Sequence, residues 1–480
     1  MARTPGLPDT TRRTKIVCTL GPASGSGEIV EKLVRAGLNV ARVNCSHGDA
    51  EGRRALIRTV RKVARRLRVY IPVLLDLSGP KMRIGPIASG SADLRPGDAF
   101  TLTRRRVKGD WQCVSVNYPP LIRDLSRGDR ILMGDGEIEL RVVRKTADDA
   151  RCEVVVGGTL MSNKGINAPG VQLRERVPTR KDLADARLGM AEGVEWVALS
   201  FVRAPEEVVR LRRFLRRGGS QAGVIVKIEK REALERVDAL LAEADGMMIA
   251  RGDLGLELPI HEVPLAQKDL VAKSFEVGKP VITATQMLES MMHNPRPTRA
   301  EAADIANAVF DGTDAVMLSG ETAAGQHPVA AVKTMAEIAE ASERRIDYAD
   351  AFYRTRALGE RAIPDAISRA ACATAIEMGA RLIICCTRTG FTVRYVSNYR
   401  PPAKIVVASP YEETLRRCML MWNTHPVKTP YVEDSDRMVA EAKRAVLRDG
   451  IGRKGDRIVL VAGVPIHEPA TTNVIKADVL

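Results

Sequence analysis

The sequence contains few aromatic residues. Phenylalanine, tryptophan and tyrosine make up 4% of its 480 residues, although 45% of the residues are hydrophobic. The cores must therefore consist of aliphatic side chains and methionine, and no RNA-recognition signature studded with aromatic rings is found. A chain of this length exceeds one compact domain, so we expect two to four domains.

Long apolar runs are also missing. No stretch of about 18 apolar residues occurs, which argues against a membrane-spanning helix. The first residues, MARTPGLPDTTRRTK, are basic but lack a following apolar segment, so they do not resemble a secretory signal. We therefore expect a cytoplasmic protein with no membrane partner, in which residues 1–12 form an N-terminal tail.

The eight cysteines form no CxxC pair. We expect buried, reduced thiols rather than a disulfide or zinc framework. The formal charge of +15 is compatible with nucleic acid, with anionic metabolites or with an arginine-rich surface. Zinc-finger spacing and a basic low-complexity tail are both missing. Binding of metabolite phosphates, or an arginine-rich surface without a binding role, therefore explains the charge better than binding of nucleic acid.

Short apolar runs recur along the chain with helical segments between most of them. Near-continuous apolar strands that alternate with helices are typical of a parallel sheet covered on both faces, and eight such strands can close a (β/α)8 barrel. The eight runs are KIVCTLG (15–21), NVARVNCS (39–46), VYIPVLLDL (69–77), EWVALSF (195–201), GVIVKIE (223–229), GMMIARGDL (246–254), PVITATQ (280–286) and AVMLSGE (315–321).

The third and fourth runs are more than a hundred residues apart. Residues 81–178 contain Gly-Asp turns and short β-like segments, which predict a small all-β insert domain that acts as a lid. The barrel would then comprise residues 13–80 and 179–345. A second α/β pattern predicts a C-terminal α/β domain with a largely parallel sheet over residues 346–480.

Polar residues follow almost every predicted barrel strand, where barrel enzymes carry their catalytic groups. Glu229 and Asp253 would converge from adjacent strands, and such a carboxylate pair suits Mg²⁺. The surrounding cations require a multiply anionic ligand, as in phosphoryl transfer, although no GxxxxGK[ST] motif is found. The cations are Arg42, Lys81, Arg83 and Lys227.

At these motifs the sequence closely resembles the pyruvate kinase family, in order and over nearly the whole chain. The matching segments are TKIVCTLGPAS (14–24), ARVNCSHG (41–48), DLSGPKMRIG (76–85), SNKGINAPG (162–170), VALSFVR (197–203), KIEK (227–230), ARGDLGLELP (250–259), TATQMLESM (283–291), RPTRAEAADIANAVFDGTDAVMLSGET (296–322) and TNVIK (472–476). The resemblance implies phosphoryl transfer between phosphoenolpyruvate and ADP, giving pyruvate and ATP in glycolysis, by a homotetramer.

The resemblance also implies residue roles. Glu229 and Asp253 would bind Mg²⁺, or Mn²⁺ in its place, and Lys227 would stabilise the transferred phosphoryl group. Substrate would also meet Thr285 and the backbone near Gly252, with Thr285, Ser319 or a water as the proton donor. Arg42 and Arg83 would contact phosphate. Asn44, Ser46 and Asp76 would surround the monovalent-cation position. The nucleotide would contact five residues, namely Thr19, Pro22, His47, Arg83 and Lys164.

Two positions depart from the pattern of K⁺-dependent relatives. Those relatives carry threonine and glutamate where this sequence has Leu77 and Lys81. The lysine ammonium supplies a fixed positive charge, and the leucine removes a hydroxyl that could ligate the ion. We therefore expect activity without K⁺, with Lys81 among the catalytic residues.

The segment CTRTGFTVRY (386–395) resembles the family's loop that binds an effector phosphate. Thr387, Thr389 and Thr392 would supply hydroxyls, and Arg388 a charge. In place of the glycine-rich loop of fructose-bisphosphate-regulated relatives, the chain has IHEPATTN (466–473), which includes the acidic Glu468. A sugar monophosphate, AMP or the absence of any effector therefore stay open.

Two alternatives to a pyruvate kinase remain. One is another Mg²⁺-dependent barrel that forms an enolate, such as a lyase, which would need neither ADP nor a lid. The other is an inactive binding or regulatory protein, or a basic nucleic-acid binder, which would retain RNA in a salt-sensitive way without turnover.

Overall fold

The barrel begins near the start of the chain. The computed structural model describes four stretches: residues 12–134, 136–354, 362–465 and 471–480. The predicted N-terminal tail therefore lies outside the described residues, except for Arg12. The first elements are β1 (Lys15–Leu20), α1 (Gly27–Ala36), β2 (Val40–Asn44), α2 (Ala50–Leu67) and β3 (Val73–Asp76). All residues of β1 and β3 are buried, as expected for strands covered on both faces.

The insert domain follows β3 and has its own core. Its elements are β4 (Ser91–Leu94), β5 (Ala99–Thr103), β6 (Cys113–Ser115), α3 (Pro120–Asp124), β7 (Arg130–Met133), β8 (Ile138–Lys145), β9 (Asp149–Val156), β10 (Gly158–Met161) and β11 (Ile166–Asn167). One sheet has the order β11-β7-β8-β9-β5-β6, and β10 pairs with β4. Buried and exposed residues alternate along most of β8 and β9, because one face packs on the insert's core. The short helix α3 was not predicted.

The rest of the barrel returns to the alternating pattern. Its elements are α4 (Arg180–Ala191), β12 (Trp196–Leu199), α5 (Pro205–Arg217), β13 (Gly223–Ile228), α6 (Arg231–Glu235), α7 (Val237–Glu243), β14 (Gly246–Ala250), α8 (Arg251–Glu257), α9 (Val263–Glu276), β15 (Val281–Ala284), a 3-10 turn (Glu289–Met292), α10 (Arg299–Asp311), β16 (Ala315–Leu318), α11 (Gly320–Ala323) and α12 (Pro328–Glu343). Thr298 and Glu301 form a reciprocal capping box that begins α10.

Eight of these strands close the predicted barrel. Their order is β1-β16-β15-β14-β13-β12-β3-β2, and every neighbouring pair is parallel. The carboxyl ends of all eight strands therefore surround one opening. The fold class predicted from the eight apolar runs is confirmed.

The C-terminal domain contains a five-stranded sheet in the order β19-β18-β17-β20-β21, in which only β21 is antiparallel. Its elements are α13 (Tyr348–Arg354), α14 (Ile363–Glu377), β17 (Leu382–Cys386), α15 (Phe391–Asn398), β18 (Lys404–Ser409), α16 (Glu412–Cys418), β19 (Thr424–Lys428), α17 (Ser435–Arg448), β20 (Arg457–Ala462) and β21 (Val474–Val479). The largely parallel α/β pattern is confirmed. The edge strand β19 was not predicted, because its sequence THPVK is polar and contains proline.

Buried ion pairs join the C-terminal domain to the amino ends of the barrel strands. Glu195, just before β12, accepts hydrogen bonds from Arg61 at 2.8 Å and from Arg416 of α16 at 2.5 Å. Asp314, just before β16, lies 2.9 Å from Arg400. The carboxyl ends of the strands, at the opposite side of the barrel, lie away from these contacts.

Two expectations from composition can be compared with the structure. All eight cysteines are free thiols, and seven of them are buried, as expected. Burial raises the pKa of Cys386 to about 12, so this thiol stays protonated at neutral pH. Within the described stretches, we find no helix that combines the length and apolar character needed to cross a membrane.

Candidate active site

Four charged side chains lie together at the carboxyl ends of β2, β3 and β13. Arg42 Nε and Nη2 lie 2.7 Å and 2.6 Å from Asp76 Oδ2. Lys227 Nζ lies 3.4 Å from Asp76 Oδ1 and 2.7 Å from Glu229 Oε1. The two-residue spacing of Lys227 and Glu229 brings them to the same side of the strand. The result is a buried cluster of two cations and two carboxylates.

The cluster alters the protonation of its members. Burial favours a higher pKa for Asp76, but Lys227 and Arg42 outweigh it and hold that pKa below its usual value. Burial favours a lower pKa for Lys227, but Asp76 and Glu229 outweigh it and raise that pKa. Asp76 is therefore ionised and Lys227 positively charged at neutral pH.

Glu229 and Asp253, the predicted metal ligands, fit a divalent cation. Burial raises the pKa of Glu229 and Asp253 adds to the increase, although Lys227 opposes it. Glu229 Oε2 accepts a hydrogen bond from the Phe201 backbone at 2.7 Å. Its Oε1 is buried and lies 2.7 Å from the Lys227 ammonium, with no second partner among the described residues, so it keeps a lone pair for a further ligand. A cation would satisfy that oxygen and offset the nearby negative charge of Asp253.

The donor set also agrees with Mg²⁺ or Mn²⁺. Carboxylate oxygens are the ligands that these hard cations prefer. Within the described part of the chain, no group of three or more histidine, cysteine, aspartate or glutamate side chains could hold a metal. An ion bound by Glu229 and Asp253 would therefore complete its coordination with substrate oxygens and water.

Thr285 and Gln286 follow β15 in a strained conformation. Their φ angles are 70° and 57°, in the left-handed region that disfavours residues with a Cβ atom. Thr285 Oγ1 accepts a hydrogen bond from the Gly252 N–H group at 2.8 Å and donates to the Ala284 carbonyl at 2.6 Å. The predicted substrate contacts Gly252 and Thr285 are therefore bonded to each other.

Ser319 presents an unsatisfied hydroxyl next to the end of β16. Its Oγ is buried and has no hydrogen-bond partner among the described residues. Its backbone N–H group donates to Glu321 at 2.7 Å, and Glu321 also accepts from the Leu288 backbone at 3.1 Å. Burial raises the pKa of Glu321. The backbone of Ser319 is thus fixed by hydrogen bonds, while its hydroxyl can still form one with a ligand or water.

The predicted monovalent-cation residues lie at the ends of β2 and β3. Asn44 Oδ1 accepts a hydrogen bond from the Ser46 backbone at 3.0 Å. Both residues are half-buried, whereas Asp76 is fully buried. Leu77 is also buried and belongs to the core of the barrel. The position of the family's threonine hydroxyl is therefore apolar here.

Lys81 lies at the mouth of this cluster. It retains contact with solvent, yet the surrounding protein desolvates its amine enough to lower its pKa. Asp253 opposes this decrease, Lys227 adds to it, and Glu229 and Asp76 also oppose it. Its ammonium therefore lies within electrostatic range of both predicted metal ligands and of the monovalent-cation position.

The predicted nucleotide contacts lie on the barrel rim and on the insert domain. Thr19 is buried and accepts a hydrogen bond from the β2 arginine at 2.7 Å, whereas Pro22 and His47 are exposed. Burial and neighbouring cations, including Arg83, lower the pKa of His47. Arg83 and Lys164 belong to the insert, where an isolated β-bridge joins Arg83 to the residue after Lys164. The charge of Arg83 on the insert therefore influences the protonation of His47 on the barrel rim.

A cavity in the C-terminal domain contains the predicted effector loop. It has a volume of about 710 Å³, including its open mouth, and we call it the C-domain cavity. Thr387, Arg388, Thr389 and Thr392 all line it. Thr387 Oγ1 accepts a hydrogen bond from a backbone N–H group of its own loop at 3.0 Å. The four predicted residues are thus brought together around one opening.

Other walls of the C-domain cavity have mixed character. Tyr431 and Glu441 line it together with Thr429 and Thr471. Thr392 Oγ1 lies 2.8 Å from the hydroxyl of Thr472, at the end of the segment IHEPATTN. Residues 466–470 of that segment, including the predicted acidic Glu468, lie outside the described residues.

Sequence reasoning assigned no role to three residues that support the site, although Arg251 was already among the polar residues at the end of the sixth predicted strand. Ser200 Oγ accepts a hydrogen bond from Lys227 Nζ at 2.8 Å, and the Phe201 backbone binds Glu229. Arg251 Nη2 donates to the Thr285 carbonyl at 2.6 Å. All three directly follow the ends of barrel strands, so the position that identified the other candidates could have identified them as well.

Comparison with known proteins identifies the family of this chain. The family model described as pyruvate kinase, barrel domain, matches residues 11–332, and the one described as pyruvate kinase, alpha/beta domain, matches residues 365–477. Pyruvate kinases of Staphylococcus epidermidis and Staphylococcus aureus are each 43% identical over 467 residues, covering 97% of this chain and 80% of the relative. A crystal structure of a pyruvate kinase from Cryptosporidium parvum has a TM-score of 0.91 at 33% identity, covering 98% of both chains. The chain belongs to the pyruvate kinase family of phosphotransferases.

Proposed function

We propose that this enzyme transfers the phosphoryl group of phosphoenolpyruvate to ADP without requiring K⁺, because Lys81 supplies the missing positive charge. The observation that carries the proposal is that Asp253, Glu229 and Asp76 all oppose the decrease in the pKa of Lys81, so its ammonium lies within electrostatic range of these three carboxylates. Those carboxylates surround the position where the family's monovalent cation and substrate phosphate would meet.

Glu229 and Asp253 are the proposed ligands of the divalent metal. The buried Oε1 of Glu229 and the negative charge of Asp253 support this assignment. When bound, the metal would supply positive charge that neutralises the phosphoryl oxygens. A second Mg²⁺ is proposed to arrive with the nucleotide.

The cations of the cluster stabilise the charge that moves during transfer. A β-phosphate oxygen of ADP forms a bond to phosphorus while the bond from phosphorus to the enol oxygen breaks. Lys227, Arg42 and Arg83 are proposed to hold the phosphoryl oxygens in flight, with Lys81 at the mouth. Because Asp76 and Ser200 fix Lys227 beforehand, little reorganisation is needed.

The enolate that remains must gain a proton at its terminal carbon to become pyruvate. Backbone N–H groups near Gly252 and Asp253 are proposed to bind the substrate carboxylate beside Thr285. The hydroxyls of Thr285 and Ser319 are the two side-chain candidates for delivering the proton, directly or through water. The unsatisfied Oγ of Ser319 supports a ligand or water at that position.

The insert domain is proposed to close over the nucleotide. Arg83 and Lys164 on the insert, with Thr19, Pro22 and His47 on the barrel rim, are the proposed contacts. The lowered pKa of His47 favours a neutral imidazole at physiological pH, which can stack or hydrogen-bond beside phosphates without a further charge.

The absence of a K⁺ requirement follows from the surroundings of Asp76. Its Oδ2 is paired with Arg42 at 2.6 Å, and its Oδ1 lies 3.4 Å from Lys227. Leu77 contributes no oxygen, so the position lacks one ligand that K⁺ would use. The ammonium of Lys81 already balances the carboxylates, and a bound K⁺ would be repelled by it.

The test is ADP-dependent pyruvate formation in K⁺-free buffer containing Mg²⁺. We expect turnover there to agree within about twofold with turnover in KCl or NaCl of equal ionic strength. The double variant Leu77→Thr, Lys81→Glu is expected to become K⁺-dependent. Lys108→Glu changes the same charge on the exposed surface of the insert and serves as the control. A many-fold stimulation of the unaltered enzyme by KCl over matched NaCl would contradict K⁺ independence.

The C-domain cavity is proposed to bind a phosphorylated effector. Thr387, Thr389, Thr392 and Arg388 offer hydroxyls and a charge to one phosphate, and Tyr431 could cover a sugar or base. Titration calorimetry with AMP, ribose 5-phosphate and fructose 1,6-bisphosphate tests this. We expect heat from a monophosphate, and silence from all three would reject a phosphate-regulated cavity.

A homotetramer is proposed as the working assembly. Large apolar side chains are exposed on one part of the barrel, with 81% exposure for Ile260, 62% for Leu265 of α9 and 52% for Phe310 of α10. Light scattering measures the mass, and a monomeric mass at micromolar concentration would reject the proposal.

A further inference from the structure

The bend after β15 needs external support. Thr285 and Gln286 both have positive φ angles, and neither is glycine. Two consecutive residues in this region persist only where surrounding contacts hold them in place. Thr285 is also the residue whose hydroxyl we place beside the reacting carbon, so the contacts that hold it bear on the chemistry.

Arg251 provides the main contact with the backbone of this bend. Its Nε and Nη2 donate to the Thr285 carbonyl at 3.2 Å and 2.6 Å. Its Nη1 donates to Asp304 Oδ1 of α10 at 2.7 Å and to Gln267 of α9 at 3.2 Å. Only 9% of the arginine side chain is exposed. Its Nη2 also contacts Met287 Sδ in the loop after β15 at 2.8 Å. The guanidinium is thus held by two helices and directed at the bend, where the Thr285 carbonyl accepts two of its hydrogen bonds.

The same short segment also holds the threonine hydroxyl. The N–H group of Gly252, the residue after Arg251, donates to Thr285 Oγ1. A side chain and the adjacent backbone group therefore bind the two ends of one residue. Movement of Arg251 would alter the direction of the hydroxyl as well as that of the carbonyl.

Beyond Met287, the loop is attached independently of Arg251. The Leu288 N–H group donates to Glu321, and the Ser290 N–H group donates to Glu301 at 2.7 Å. Loss of Arg251 should therefore reorient Thr285 locally and leave the loop in place.

We infer that Arg251 is a positioning residue that sets the orientation of the Thr285 hydroxyl for proton delivery to the enolate. The inference rests on the proposed function of Thr285. Arg251 touches neither substrate nor metal in this scheme and acts through the threonine. A lysine cannot reproduce its contact, because an ammonium lacks the planar fork that binds a carbonyl and a carboxylate together.

A second buried arginine supplies a matched control. Arg400 has 10% of its side chain exposed and donates to Asp314 at 2.9 Å and to the Gly312 carbonyl at 2.8 Å. It therefore makes the same kinds of bond as Arg251, to one carboxylate and to backbone carbonyls. It lies beside the amino end of β16, at the opposite side of the barrel from Thr285.

The experiment compares Arg251→Lys, Arg400→Lys, Thr285→Val and the double variant Arg251→Lys, Thr285→Val. We measure kcat, the KM for phosphoenolpyruvate and the thermal midpoint. Exchange of the pyruvate methyl protons with D2O, in the presence of Mg²⁺ and inorganic phosphate, reports the proton step without nucleotide. For Arg251→Lys we expect kcat and the exchange rate to fall by about 10- to 100-fold, with KM changing less than about threefold.

The outcomes separate this inference from the function on which it rests. Arg400→Lys should lower the thermal midpoint without altering exchange, and the double variant should be no slower than Thr285→Val alone. If Thr285→Val retains full exchange, the proposed role of Thr285 fails. If Thr285→Val loses exchange but Arg251→Lys behaves like Arg400→Lys, the inference fails and the role of Thr285 stands. The same holds if the double variant shows the product of the losses in exchange rate of the two single variants.

Discussion

The two ends of the barrel both bury charged residues, but they leave them in different states. At the amino ends, Glu195 accepts hydrogen bonds at both oxygens, from Arg61, from Arg416 and from the Val73 backbone at 2.8 Å. At the carboxyl ends, Glu229 Oε1 lies 2.7 Å from the Lys227 ammonium and has no second partner within the described residues. One carboxylate is satisfied by the protein, and the other retains capacity for a ligand.

A similar contrast is found between the two ends of a single strand, β16. Asp314, at the amino end of β16, binds Arg400 and also accepts from the Val281 and Trp422 backbones, at 3.0 Å and 3.2 Å. Ser319, at the carboxyl end of the same strand, has a buried hydroxyl without a partner among the described residues. Unsatisfied buried atoms also occur near the amino ends, at Thr14 Oγ1 and Arg400 Nε. An unsatisfied buried group costs stability, so the hydroxyl of Ser319 supports a ligand site together with the charged cluster at its own end of the barrel.

The largest difference between the two ends should appear on loss of Lys227. Lys227→Met removes the ammonium that contacts both Asp76 and Glu229, and with it the positive charge facing the transferred phosphoryl group. We expect kcat to fall by about 10²- to 10³-fold. Steady-state kinetics measures this, with circular dichroism to verify the fold. Turnover within tenfold of the unaltered enzyme would place the main charge stabilisation elsewhere.

A substitution at the amino ends of the strands should lower the stability of the protein and leave its catalytic rate nearly unchanged. Glu195→Gln removes a buried negative charge that binds Arg61 and Arg416, which would weaken the junction between the barrel and the C-terminal domain. We expect the free energy of unfolding to decrease by about 3 kcal/mol, since both guanidiniums lose their carboxylate. Urea denaturation measures this loss.

The same variant also tests the comparison itself. With Glu195→Gln, kcat should stay within about twofold, because the substitution lies at the far end of the strands from the chemistry. A large loss of kcat with unchanged stability would mean that β3, whose Val73 N–H group donates a hydrogen bond to Glu195, transmits the change to Asp76.

The position of a charged residue relative to the nearest apolar run predicts in large part which end of the barrel it belongs to. Asp76 and Glu229 end or follow apolar runs in the sequence and Arg42 lies within one, whereas Glu195 and Asp314 begin or precede them. With the direction of a parallel barrel known, that order alone assigns the first group to the active-site end. The fold itself was equally accessible, because buried strands leave continuous apolar runs.

Other features could not be obtained in this way. Arg400 and Arg416 pair with residues 86 and 221 positions away, and no local pattern identifies such partners. The strain at Thr285 and its support by Arg251 depend on how α8 meets the end of β15. The edge strand β19 was missed because pairing with β18, not its own composition, makes it a strand.

The smallest predicted effect concerns Lys15, at the amino end of β1. Its Nζ donates to the Thr424 carbonyl of the C-terminal domain at 2.8 Å. Burial, with a contribution from Arg12, lowers the pKa of Lys15 to about 7. The unfolded chain keeps a value of about 10.4, so between these two values the unfolded state binds more protons at this residue. Stability should therefore rise with pH over that interval because of Lys15.

Lys15→Met should remove this contribution. We expect the free energy of unfolding of the unaltered protein, measured in urea at pH 6.5, 8 and 9, to gain more with pH than that of the variant. Lys333→Met, on the exposed surface of α12, should retain the slope of the unaltered protein. Parallel slopes for all three proteins would mean that Lys15 keeps its proton in the folded state. Lys15 would then be buried in its charged form and stabilised by its neighbours. In that case only Glu229 and Ser319 would support the contrast between the two ends.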